Sequence, residues 1–155
     1  MPHVLSSHSF FEYYHPFLPF LDPSKSPDDY HKSGPTLFWA IIGVTSRRYQ
    51  EDVTLLTVLS DWVMKLIWSE IARPPYKIST VQASIILCIW PFPTTTTWTD
   101  TSVTLSAFVI SAAMRLGFHR PLNTQDFSRT GLNVSEIDWR MVTRAWAAAN
   151  VVSQL

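Results

Sequence analysis

The chain predicts an all-α fold, an irregular bundle of about five helices forming part of a larger helical domain. Three observations carry this. Apolar residues recur at helical spacing in one segment after another. Prolines and glycines stand at the ends of those segments. No stretch shows the two-residue alternation of a half-buried strand. With 155 residues, 46% apolar and 15% charged, the chain is too apolar for disorder. It is also less charged than a typical soluble domain, so part of its apolar surface is expected to meet more protein.

Residues 1–34 read as an aromatic and proline-rich N-terminal segment. Phe10 to Leu21 is dense in aromatics and interrupted by Pro16 and Pro19, which leaves room for one short helical turn before Pro16 in an otherwise strand-like lead. Asp22 to Gly34 is polar and reads as a loop. Residues 35–155 form the helical region, incomplete at its C-terminal end because the last helix meets no stop signal before Leu155. Pro35 suits a first helical position. Leu37, Phe38, Ile41, Ile42 and Thr45 follow at helical spacing, and Arg47-Arg48 suits the dipole at that helix's end. A second helix is expected from Val53 to Ala72. Leu55, Leu59, Trp62, Leu66 and Ile67 form its stripe, widened by Leu56, Val63 and Ile71. Ser79 and Gln82 fit a capping box opening a helix from Thr80 to Trp90 that is apolar nearly all round, hence central. Pro91-Phe92-Pro93 ends it, and Thr94 to Thr99 reads as a loop. Asp100 or Ser102 opens a helix through Leu105, Phe108, Val109, Ala112, Ala113 and Leu116, with Gly117 as a left-handed cap. After a loop from Pro121 to Asn133, Ser135 and Asp138 start a last helix. Its stripe is Val134, Ile137, Met141, Val142, Ala145, Trp146, Ala149 and Val152.

Chemistry is sparse. Cys88 is the single cysteine, which excludes an internal disulfide and a cysteine-rich zinc module. Lying mid-helix among Ile85, Ile86, Leu87 and Ile89, its thiol is expected to be inert. His3, His8, His15, His31 and His119 include no pair at the four-residue spacing of a helical metal site. Asp28-Asp29, the one carboxylate pair, reads as solvated loop. The four glycines form no phosphate-binding loop and no G-x-S-x-G elbow exists, so no enzyme is expected, and no metal or cofactor. Twelve basic and twelve acidic residues give zero net charge, which offers no electrostatic footprint for DNA. Arg140 and Arg144 share a helix face, better read as solvated or interfacial. The apolar run Ala83 to Phe92 falls far below the roughly 20 residues that span a bilayer. Met1 to Leu21 lacks the pattern of a secretion signal.

One segment says more than its composition. Thr80-Val81-Gln82-Ala83-Ser84-Ile85-Ile86-Leu87-Cys88-Ile89-Trp90-Pro91-Phe92-Pro93 resembles a motif of the fungal-specific transcription factor domain, the middle homology region of fungal zinc-cluster regulators. The later Leu116-Gly117-Phe118-His119-Arg120 is similar to that family's G-L-H-R-like turn. Arg144-Ala145-Trp146 is similar to its Arg-x-x-Trp helix, and Phe11 to Phe20 to its aromatic lead. The resemblance therefore singles out Thr80, Val81, Gln82, Trp90, Pro91, Gly117, His119, Arg120, Arg144 and Trp146 as family positions, mainly structural in role. It implies a nuclear regulatory or interaction region acting in RNA polymerase II transcription. Its expected partners are proteins, the remainder of a regulator or a second copy, without direct DNA contact and without a membrane. Zinc is expected only in full-length relatives, because the cluster that binds it is absent here. The other reading of the residues is a helical scaffold or apolar ligand-binding module, with Phe38, Trp39, Trp62, Trp68 and Trp90 lining a cavity; such aromatics more often fill a core.

Overall fold

A computed structural model describes residues 7–120 and 139–155. Its described residues form seven α-helices and no strand: α1 (Ser7–Tyr13), α2 (Pro27–Ser33), α3 (Pro35–Thr45), α4 (Leu55–Ile71), α5 (Ile78–Ile89), α6 (Ser102–Arg115) and α7 (Trp139–Val152). The all-α class holds. The expected number of about five is corrected by two short helices in the N-terminal segment. The expected loop from Pro121 to Asn133, the start at Ser135 and Asp138, and the stripe positions Val134 and Ile137 lie outside the described residues.

α5 is the centre. Every residue from Ser79 to Cys88 is buried, as an all-round apolar helix requires. α3 and α6 pack most heavily against it, with α4 and α7 completing the cover. Val81, Ala83, Ile85 and Ile86 share one core cluster with Leu37, Ile41 and Val44 of α3, Leu105 and Val109 of α6, and Val142 and Ala149 of α7.

The N-terminal segment contributes to that same cluster through Phe10, Phe20, Leu21 and Tyr30. The lead before Pro16 is a seven-residue helix rather than a single turn in a strand-like stretch; it packs against α3 and buries Phe10 fully. The expected loop from Asp22 to Gly34 instead contains α2. Its N-cap is Ser26, whose hydroxyl accepts from the Asp29 backbone N–H (3.2 Å), while the Asp29 carboxylate accepts from the Ser26 backbone N–H (3.2 Å). This reciprocal pairing satisfies two donors left free at a helix start. Asp28-Asp29 is thus a helix's first turn, and Tyr30, buried one turn on, donates to the Asp22 carbonyl (2.6 Å).

The capping box expected at Ser79 and Gln82 does not form. α5 begins at Ile78 with Lys77 as N-cap and no side-chain cap. Ile78 packs on the core and draws the helix start forward. Ser79 instead meets Gly34, where an added Cβ would lie 2.3 Å from the Ser79 Cβ. At the end of α6, Gly117 adopts φ 78°. The Phe118 N–H donates to the Ala113 carbonyl and the Gly117 N–H to that of Met114 (2.9 and 3.0 Å), the two bonds of a Schellman cap.

α4 keeps part of its expected stripe, Ile67 with the widening residues Leu56, Val63 and Ile71, and turns the rest away from the core cluster. Val63 and Ile67 are its buried residues, flanked by Leu56, Met64, Trp68 and Ile71 against the core. Leu55, Leu59 and Leu66 are only partly buried, and Trp62 stays 44% exposed beside the 64% exposed Val58. The inward face lies about a quarter turn from the stripe read in the sequence, because α4 carries two adjacent apolar faces and α3 and α5 cover only one.

Gly34→Ala is expected to lower stability by about 1–3 kcal/mol, the usual cost of forcing atoms into a filled space. Gly117→Ala is expected to cost about 1–2 kcal/mol through its left-handed backbone. Urea unfolding followed by far-UV circular dichroism measures both.

Candidate functional site

The positions that the resemblance singles out divide into two places. The first is α5 with the turn that ends it. The Thr80 hydroxyl donates to the Glu70 carboxylate near the end of α4, and Glu70 also lies 3.8 Å from the Lys77 ammonium. The motif's opening residue therefore ties α4 to α5. Val81 and Gln82 are buried, Val81 within the core cluster. Trp90 closes α5. Its indole meets the rings of Phe10 and Tyr14 edge-on at 5.8 and 5.5 Å between centroids.

Arg47 completes this place. Its guanidinium donates to the carbonyls of Trp90 (3.0 Å) and Pro91 and lies 6.0 Å from the centroid of the Phe92 ring. Phe92 in turn rests on Gly43, where a Cβ would come within 2.9 Å of its ring. Burial pulls the Arg47 pKa below its ordinary value, yet the group stays charged, since arginine titrates far above neutrality. A cation at a helix C-terminus faces the negative end of the dipole. Sequence reasoning assigns Arg47 to the end of its own helix, but it serves α5, 43 residues away. Its neighbour Arg48 stacks over Tyr13 (4.1 Å) and fastens α1.

The second place joins the α6 turn to α7. His119 and Trp146 stand 6.0 Å apart between ring centroids, so the two later motifs meet. Gly117 supplies the cap that turns the chain there. Arg120 and Arg144 are exposed. The Asp22 carboxyl is held below its usual range by the Ser24 hydroxyl and N–H, with smaller help from the charges of Lys25 and Arg144.

No reactive constellation emerges among these groups. Among the described residues no cluster of three His, Cys, Asp or Glu is placed to hold a metal ion, and no helix is long and apolar enough to cross a membrane. Cys88 is buried and its thiol is pushed up to about 12, chiefly by desolvation with a smaller push from Asp100. The five aromatics weighed as a cavity lining pack in separate groups. Phe38, Trp39 and Trp62 meet edge-to-face, Trp68 lies against the core, and Trp90 belongs with α1.

Arg47→Met is expected to cost about 1.5–3 kcal/mol, the worth of hydrogen bonds to a charged donor, read as a lower melting temperature; Arg47→Lys recovers less than half, because an ammonium cannot reproduce the planar fork. For Cys88, folded pKa exceeds unfolded pKa, so the stability it contributes is whole below about pH 8.5 and is lost as pH rises toward about 12. A thiol reagent at pH 8 is expected to label Cys88 at the rate of unfolding, and to label urea-unfolded protein within seconds.

No family model matches the chain, and no solved structure matches it. Curated proteins do. The chain is 31% identical over 137 residues to the transcriptional regulatory protein SEF1 of Candida albicans, covering 86% of this chain and 14% of that protein. It is 31% identical over 157 residues to the regulatory protein LEU3 of Saccharomyces cerevisiae, covering 91% and 17%. The putative transcription factor SEF1 of Kluyveromyces lactis is 30% identical over 142 residues, covering 90% and 12%. The chain thus spans between 12% and 17% of the length of these relatives, all of them transcription regulators rather than enzymes. On this likeness, with the helical class established, the chain belongs to the fungal transcription regulators of the SEF1 and LEU3 kind, matching a part of those larger proteins.

Proposed function

We propose that these residues act in the nucleus as a helical regulatory and interaction region in RNA polymerase II transcription. The region packs against other parts of a regulator, and neither reads DNA nor binds zinc itself. The observation that carries this reading is the likeness to regulators over 86% to 91% of the chain, with the family motifs spent on holding helices together. A second observation supports it. Leu55, Leu59, Trp62 and Leu66 follow one another at spacings of four, three and four along α4, the pattern that seats one helix against another, and they stand outside the core cluster.

The test joins the chain to a heterologous DNA-binding module in yeast and measures a reporter, alongside pull-down of the remainder of a SEF1-type or LEU3-type regulator. Specific binding and altered reporter output are expected. Trp62→Glu with Leu59→Glu is expected to weaken binding at least about tenfold, in line with loss of a central aromatic anchor, while the melting temperature stays within a few degrees. A folded chain that binds neither regulator and moves no reporter would refute the proposal.

A further inference from the structure

The outer strip of α4 reads the same in both directions. Leu55, Leu59, Trp62 and Leu66 stand at spacings of four, three and four, and reversing the helix returns the same series. Two such helices laid antiparallel about a twofold axis therefore match position for position. Leu55 falls opposite Leu66 of the second copy, and Leu59 opposite Trp62 of the second copy, so each large ring meets a smaller side chain. An isologous interface requires this, one patch complementary to itself. A parallel pair would instead set Trp62 against Trp62 and Lys65 against Lys65 at one level. In the antiparallel pair the two exposed Lys65 stand about nine residues apart along the axis, roughly 13 Å. That is beyond the screening length of about 8 Å at physiological salt. Each Lys65 then runs along Val58 of the other copy, and Val58 is 64% exposed.

Resting on the reading of this strip as an interaction surface, we propose that it seats the same strip of a second copy of this chain, antiparallel. Area sets the strength of the pair. Trp62 leaves 44% of its surface in water, about 100 Å² for a large aromatic. With Val58 and the half-buried leucines, two copies hide about 600 Å² of apolar surface, against the roughly 1,600 Å² of a standard interface. The dimer is therefore weak, with a dissociation constant of about 10–100 µM. Two chains held near each other at an effective concentration of about 1 mM keep it closed, and dilute free chains do not.

Sedimentation velocity of the full chain from about 5 to about 500 µM tests this. The sedimentation coefficient is expected to climb from monomer to dimer across that range. Cross-linking reads the direction and the register. Leu55→Cys and Leu66→Cys proteins, mixed and treated with a mild oxidant, are expected to form a disulfide-linked pair. Each alone is expected to stay unlinked, because its new thiol lies about 16 Å along the axis from its own copy. Cys88 is buried and does not compete. Val58→Glu sets an acid beside Lys65 of the second copy, and Val58→Lys sets a like charge there. The first is expected to dimerise about tenfold more tightly than the second, and both alter an exposed position that the fold does not need. A chain monomeric throughout, linkage within one variant alone, or equal affinity of the two Val58 variants would each overturn the proposal. If such a chain still captures a regulator fragment in the pull-down, the region remains an interaction region and only the occupant named here is wrong.

Discussion

A helix apolar on every side cannot be left facing water, and α5 is such a helix. From Ser79 to Cys88 none of its residues is exposed, so four helices and the N-terminal segment must be arranged around it. Burying a large aliphatic side chain is worth about 1.5–3 kcal/mol, and α5 alone contributes Val81, Ile85, Ile86 and Leu87 to the cluster. Its polar residues are accommodated rather than expelled. Ser84 donates back to the Thr80 carbonyl (2.8 Å), and Thr80 spends its own hydroxyl on Glu70. The helix is thereby tied to α4 at its start and to Arg47 at its finish, while apolar packing fills the length between.

The two ends of α5 are handled by different physics. At the start, Ser79 packs closely against Gly34, and no side chain caps the helix. At the finish, a partly buried cation supplies what a cap would otherwise give, and the Trp90 indole is enclosed by α1. The aromatic lead is therefore integral to the core. Phe10 has no exposed surface, and with Tyr14 it forms a wall against Trp90 that α3 alone could not provide.

Much of this was legible in the sequence. Helical periodicity, Pro35 at a helix start, Gly117 at a helix end and the continuous apolar character of α5 are local signals, and the structure keeps them. The failures are of another kind. α2 was hidden because its seven residues, PDDYHKS, are polar and begin with a proline; the cue was Ser26 with Asp29, a capping pair whose acid is one methylene shorter than the usual glutamate. Ser79 and Gln82 carry the same cue in the wrong place, because Ile78 packs on the core and starts the helix one residue earlier. Arg47 suits a helix end by its chemistry, but the end it serves is that of α5 and not of its own helix. The meeting of His119 with Trp146 depends on how α6 and α7 lie together, which no spacing within either helix encodes.

α4 shows why pattern alone does not choose a face. Its sequence offers two apolar stripes, and packing required one. The inward stripe is fixed by Val63 and Ile67, which fit between α3 and α5, with Val63 reaching the space left open at Gly43. The outward stripe, Leu55, Leu59, Trp62 and Leu66, gains little from the fold of these residues alone. Trp62 makes one edge contact with Trp39 (4.8 Å) and leaves 44% of its surface in water. Trp62 is exposed and Leu55, Leu59 and Leu66 are half-buried, so the four make a partly covered apolar strip at helix-pairing intervals. On α4, then, one face builds the local core, and the other keeps the spacing with which helices pair.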